Sequence, residues 1–226
     1  MRRLMLVGAT VLLSGCAAPT QPQTSMAPPP PSPPQILHTL TLASPPGQGA
    51  VELTRESRVQ DGAETVTYRA RGTIVATDDL GQWRFAYTKT SLEGAATNPT
   101  EWIVGLHAIS LVFISTSPGP LEVDWEQSVF VDPSGRSQRM IHRGIQLNQK
   151  AYPMAPSIVA AGATLNEFVF PSDGITFSAP GRASLWNSPA LLERLAPGSG
   201  FSIVLNIKSG GVTARRTFRF SAAAPR

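Results

Sequence analysis

The strongest constraint on this chain is a period of two. Leu121, Val123 and Trp125 alternate with Glu122, Asp124 and Glu126, and Trp83, Phe85 and Tyr87 alternate with Arg84, Ala86 and Thr88. Successive side chains of a strand point to opposite faces, so this pattern describes a half-buried β-strand. Phe201, Ile203, Leu205 and Ile207 form another such row, as do Val212, Ala214, Arg216, Phe218 and Phe220. Ser209-Gly210-Gly211 separates those two rows, where glycine supplies the positive φ angles of a hairpin turn. Leu106–Ser115 is apolar on both faces and reads as a central, doubly covered strand. Asp132-Pro133-Ser134-Gly135 carries type I turn residues and is expected to join strands at 121–131 and 137–143.

One helix is expected. Ser188 can cap it, Pro189 can occupy its first position, Ala190–Leu195 can fill about two turns, and Pro197-Gly198 ends it. Many short strands punctuated by Gly, Pro and Asp, with almost no helix, indicate an all-β sandwich or barrel.

The N-terminus carries an address. Arg2 and Arg3 precede an apolar run, Leu4–Leu13, that is far shorter than the roughly 20 residues of a spanning helix. Leu13-Ser14-Gly15-Cys16 follows, and this motif resembles the lipobox of bacterial lipoproteins. The resemblance implies that residues 1–15 are a signal peptide and that the Cys16 thiol takes a diacylglyceryl group and becomes the first mature residue. Two or more acyl chains, at about 0.8 kcal/mol per buried methylene, make a stable membrane anchor. Ala17 stands where an inner-membrane-retaining Asp is found in some lipoproteins, so the resemblance favours the periplasmic face of the outer membrane. No later run of 18 apolar residues occurs.

Eight of the 21 prolines fall between Pro19 and Pro34. Residues 16–35 contain no charge and no aromatic ring, so this stretch is expected to stay unfolded as a tether. Its polyproline II tendency, at ~3.1 Å per residue, gives a reach of about 60 Å. The folded domain is expected over 36–226.

A second resemblance rests on longer segments. Ile109–Trp125 leads into Ser128–Gly135, followed by Arg139–Gly144, Ser157–Leu165 and Phe168–Pro171. This order is similar to a group of uncharacterised bacterial lipoproteins with an immunoglobulin-like β-sandwich. It covers roughly 105–220, leaves 36–104 unaccounted for, and transfers no catalytic residue. About 190 residues is large for one such unit, so insertions or a second small β-layer are expected to take up the excess.

Chemistry-bearing residues are sparse. With one cysteine, Cys16, the chain forms no internal disulfide and no multi-thiolate zinc site. The histidines His38, His107 and His142 show no metal-ligand spacing, and no nucleotide motif or G-x-S-x-G elbow is present. No cofactor is expected. Asp124, Asp132, Arg139 and His142 form the one polar cluster that the strand pattern could bring together, with His142 paired to a nearby carboxylate or carbonyl. Glu122, Asp124 and Glu126 read as a solvated face, and Asp78-Asp79 as a turn.

The net charge of +4 suggests nucleic acid until Arg2 and Arg3 are removed with residues 1–15, which leaves 17 basic against 15 acidic side chains. Nucleic acid is therefore not an expected partner. Arg215, Arg216 and Arg219 read as a strip protecting a sheet edge or meeting lipid phosphates, with Arg216 on the apolar side. The functional expectation is a membrane-anchored, non-enzymatic binding or assembly module whose partner is an envelope protein or glycan. The alternatives are an envelope hydrolase with a site assembled from distant loops, or a lipid or glycan carrier using Trp83, Trp102 or Trp186.

Overall fold

The computed structural model describes residues 34–60, 63–90, 101–103, 106–143, 145, 149–178, 184–188, 191–192 and 195–224. The expected signal peptide, Cys16, most of the Pro-rich stretch and Arg226 lie outside these residues. The first strands are β1 (Gln35–Ser44), β2 (Val51–Gln60), β3 (Ala63–Gly72), β4 (Ile74–Thr77) and β5 (Gly81–Thr90). Then come β6 (Glu101–Ile103), β7 (Leu106–Ser115), β8 (Leu121–Val131), β9 (Ser137–His142) and β10 (Ser157–Val159). The chain closes with β11 (Thr164–Pro171), β12 (Thr176–Ser178), β13 (Ser184–Asn187), β14 (Gly200–Ser209) and β15 (Val212–Ala223). Strand thus begins at Gln35, inside the expected tether by one residue.

Twelve strands form one sheet in the order β3-β2-β1-β15-β14-β8-β9-β11-β7-β5-β4, with β10 added on β8. All of its pairings are antiparallel, and the sheet curls until it is nearly closed into a barrel. β12, β13 and β6 make a separate small sheet. The main sheet is one hydrogen-bonded path, and two stretches of chain turn corners in it. In β9, Ser137–Arg139 pair with β8, and Met140–His142 pair with β11. The second corner lies between β3, paired with β2, and β4, paired with β5. There Gly72 has φ 105°, and a Cβ on it would stand 2.1 Å from the Ala50 carbonyl oxygen, so only glycine allows the bend.

The hairpin turns follow the sequence closely. Gly210 and Gly211 have φ of 54° and 81°, the left-handed pair that a two-residue loop requires, and Ser209 pairs with Val212. Asp132–Gly135 joins β8 to β9, with the Gly135 N–H donating to the Asp132 carbonyl (2.9 Å) and Gly135 at φ 84°.

The alternating rows meet in an aromatic interior. Trp83 stacks on Phe113 (3.9 Å between centroids), Phe218 packs against Trp83 and Phe85, and Phe220 bridges Phe85 to Phe201. These rings come from β5, β7, β14 and β15, so they tie opposite walls together. Each such pair adds about 0.5–1.5 kcal/mol beyond the burial of area. Trp83 is fully buried here, which removes it from the surface where it could stack on a ligand. The side chains of Trp102 and Trp186 lie outside the described residues.

β8 departs from simple alternation. On β14 only Leu205 lies between Val204 and Asn206, whereas on β8 Trp125–Ser128 lie between Asp124 and Val129. This bulge changes which residues face inward. Leu121, Val123 and Trp125 are buried before it, Ser128 and Phe130 after it. Ser128 makes the bulge possible. Its hydroxyl donates to the Asp124 carbonyl (2.6 Å) and accepts the Asn206 N–H (3.1 Å), standing in for missing ladder bonds.

Among the described residues of the expected 188–195 helix, no α-helix is present. Residues 189–190 and 193–194 lie outside the described set, and the Leu195 N–H donates to the Leu192 carbonyl, a tight i to i+3 turn. β15 is paired with β14 over Val212–Ser221 but with β1 only from Arg219 onward, so among the described residues the exposed Arg215 has a ladder partner on one side alone, whereas the exposed Arg219 lies between two strands.

Candidate functional site

The four polar residues singled out in the sequence do not converge. Asp124 lies on the outer face of β8, and its carboxylate and that of Glu122 hold the Lys208 ammonium at 3.0 and 2.8 Å. Hydrogen bonds to Glu122 and then Asp124 push the Lys208 pKa upward. The expected solvated face is thus an ion-paired one, with Lys208 supplied by β14. Arg139 lies on β9 and reaches Glu126 and the Tyr152 carbonyl with one terminal nitrogen, and the Lys150 carbonyl (2.9 Å) with the other. Glu126 also accepts the Met154 N–H. Arg139 therefore clips the 150–154 segment to the outside of the sheet.

Asp132 anchors its own turn. Oδ1 accepts the Ser134 N–H and hydroxyl (2.9 and 2.5 Å) and the Arg136 N–H (3.0 Å). Oδ2 accepts from Arg136 Nε (3.2 Å) and Gln138 Nε2 (2.9 Å). The Ser134 hydroxyl above all, with the Arg136 and Gln138 donors, outweighs desolvation and holds this carboxyl well below the usual carboxylate range. Such a carboxylate is a poor general base, since its lone pairs are occupied and its proton affinity is low. Arg136 also approaches Asp173 (3.6 Å), in a single 3-10 turn after β11.

His142 ends β9 with its ring inside the barrel wall, stacked on Trp125 at 4.6 Å and 15°. Its carboxylate neighbour is not Asp132 but Glu167 of β11, with Nδ1 to Oε2 at 3.8 Å. That separation is too long for a hydrogen bond. Both His142 nitrogens and Glu167 Oε2 are buried without a hydrogen-bond partner among the described residues. Trp125, stacked on His142, is fixed by its own indole N–H, which donates to Ser157 Oγ on β10 (2.9 Å). Glu167 was not visible as a partner in the sequence; its one signal is a lone charge opening the apolar run Phe168–Phe170.

His107, expected in the core or at a sheet edge, is partly buried on β7 and stacks on Tyr87 (5.8 Å). Asp78 and Asp79 do form the β4–β5 turn, and they do more than turn the chain. Arg216, inward-facing on β15, binds Asp78 through Nε (2.9 Å) and Asp79 through Nη2 (2.5 Å), closing that end of the barrel with an ion pair.

One cavity of about 290 Å³ lies beside the Asp132 turn, floored by Phe130, Leu191 and Leu195 and rimmed by Arg136, Gln138 and Asp173. Its lining is more apolar than polar. Among the described residues, no group of three or more His, Cys, Asp or Glu is placed to hold a metal ion. Among the same residues, no helix is long and apolar enough to cross a membrane. No model of a known protein family, no curated protein and no solved structure matches this chain.

Proposed function

We propose that this chain is a lipid-anchored, non-enzymatic module of the bacterial cell envelope, held by Cys16 on the periplasmic face of the outer membrane. In this role it presents a rigid β-domain to an envelope protein or glycan. The observation that carries the reading is Leu13-Ser14-Gly15-Cys16 behind a short basic and then apolar leader. The Pro-rich stretch that follows suits a spacer, and strand begins directly after it at Gln35. Walls tied by an aromatic interior suit a recognition scaffold of the kind that immunoglobulin-like domains provide, with binding carried by surfaces and edges. Crosslinking in intact envelopes followed by affinity capture tests the reading. A specific partner is expected with the native chain and not with Cys16→Ser, which is expected to leave the membrane fraction. Capture of no partner by the native chain contradicts it.

A second reading, a carrier of a small lipid or glycan fragment, is favoured by the cavity beside Asp132. Its volume of about 290 Å³ is at the lower end of ligand pockets. Native mass spectrometry of protein extracted from envelopes tests it: a bound small molecule of constant mass supports the carrier, and a mass equal to the lipidated chain alone excludes it.

A further inference from the structure

β3 is the terminal strand of the sheet path, and its ladder runs to β2 over all ten of its residues. Past the corner at Gly72, β4 pairs with β5 only over Gln82–Phe85. Beyond that corner no ladder joins β3 to β5 among the described residues. A cavity of about 290 Å³ opens there, lined by the consecutive residues Tyr68–Arg71 of β3 and by Tyr87 and Thr88 of β5. We propose that this slot receives an extended, acidic segment of a partner protein, which adds to the outer edge of β3 as a further strand. The inference rests on the reading of this chain as a binding module and gives that module its docking edge.

Three features select this occupant. A terminal strand presents backbone N–H and C=O groups as a template for another strand, and recognition proteins use such edges to bind extended peptides. The charge at the slot is positive. Arg69 and Arg71 project from β3 and are exposed, whereas their acidic neighbours Glu52 and Glu56 sit on β2, on the other side of β3. Arg69 meets Glu56 only at 3.5 Å with half its side chain in solvent. An incoming strand with Asp or Glu beside these arginines is favoured, and one with Lys or Arg is repelled. The alternate residues Tyr68 and Ala70 lie on the other face near Leu53, so they favour apolar side chains between the acidic ones. The chain's own Pro-rich segment does not fit. Pro28–Pro31, Pro33 and Pro34 lack the N–H groups that a ladder needs, and the segment carries no acidic residue.

Fluorescence anisotropy with the full-length lipidated chain in detergent tests the proposal. The probe is a short labelled peptide alternating Asp or Glu with Val or Ile, and the counter-probe replaces the acids with Lys. The acidic peptide is expected to bind saturably and to lose at least about tenfold in affinity with Arg69→Glu/Arg71→Glu, while the lysine peptide gains. N-methylation of alternate amides along one edge of the acidic peptide, which needs no protein variant, is expected to abolish binding. Absence of saturable binding overturns the proposal. So does binding that survives N-methylation, or affinity indifferent to the charge reversal. A native dimer dissolved by the double variant would assign the slot to a second copy and also overturn it. A partner captured from envelopes with crosslinks away from β3 would overturn the strand addition alone. Capture of no partner would overturn the binding module with it.

Discussion

Asp132 lies in the turn that precedes β9, His142 ends that strand and Glu167 belongs to β11, and their side chains are similarly shielded, at 15%, 11% and 12% exposure. Their bonding is opposite. Asp132 accepts five hydrogen bonds, all from donors within the next six residues. The His142 nitrogens and Glu167 Oε2 accept or donate none among the described residues, although two strands were needed to bring them together. The difference is one of locality. A turn can wrap its own donors round a carboxylate, whereas cross-strand neighbours must take whatever separation the ladder imposes. It also shows that hydrogen-bond number does not rank importance. The Asp132 turn is bordered by exposed residues 133–137, where water can replace lost donors. The imidazole of the interior pair has the Trp125 indole stacked over it.

Trp125→Ala breaks the comparison most severely. It removes a buried ring from over His142 and strands Ser157, and about 3–5 kcal/mol is expected to be lost in urea denaturation. A loss under about 1 kcal/mol would mean that the indole does not cover the imidazole. Ser128→Ala is next. It leaves the Asp124 carbonyl and the Asn206 N–H unpaired within the sheet, and calorimetric or chemical unfolding is expected to register about 1–3 kcal/mol.

The double change His142→Phe with Glu167→Leu sharpens the comparison. Because the two groups satisfy no hydrogen bond, an apolar pair of similar shape is expected to unfold within about 1 kcal/mol of the native chain, or later than it. A large loss would reveal an interaction that the 3.8 Å separation does not contain. Asp132→Asn is the mildest change and is recognised by its pH signature. The folded carboxyl is depressed, so its contribution is present in full above the unfolded value near about 4 and disappears as pH falls toward the folded one. The midpoint difference between native and Asp132→Asn proteins should be constant above about pH 5 and shrink below about pH 4. A difference that grows on acidification would reverse the assigned sign.

Much of the fold was legible because its determinants are local. The 121–131 and 137–143 strands, the Asp132 turn, the Gly210-Gly211 hairpin and the central Leu106–Ser115 strand each depend on alternation or on a few neighbouring residues. What escaped depends on distant partners. Ser128 matters because of Asn206, 78 positions later, and nothing near it marks a bulge. The Asp78–Arg216 pair spans 138 positions, and nothing near either residue marks their meeting. Alternation put Arg215 and Arg219 on one face, but it could not tell that β1 pairs alongside Arg219 and not alongside Arg215. The helix expectation failed for a related reason. Ser188-Pro189 and Leu191-Leu192 have helical grammar, but here the Ser188 hydroxyl accepts the His107 N–H and the Tyr87 hydroxyl accepts the Leu191 N–H, so neighbouring strands claim the segment. For the candidate site, the residue types were readable and the grouping was not, since Asp124, Asp132, Arg139 and His142 each found a separate partner.

Intact mass and N-terminal peptide analysis of the protein purified from bacterial envelopes test the central claim most directly. The account predicts a chain that begins at Cys16, lacks residues 1–15 and carries a diacylglyceryl mass on the Cys16 sulfur. A mature chain that retains Met1, or one whose Cys16 is a free thiol, would contradict the anchor and the envelope role built on it.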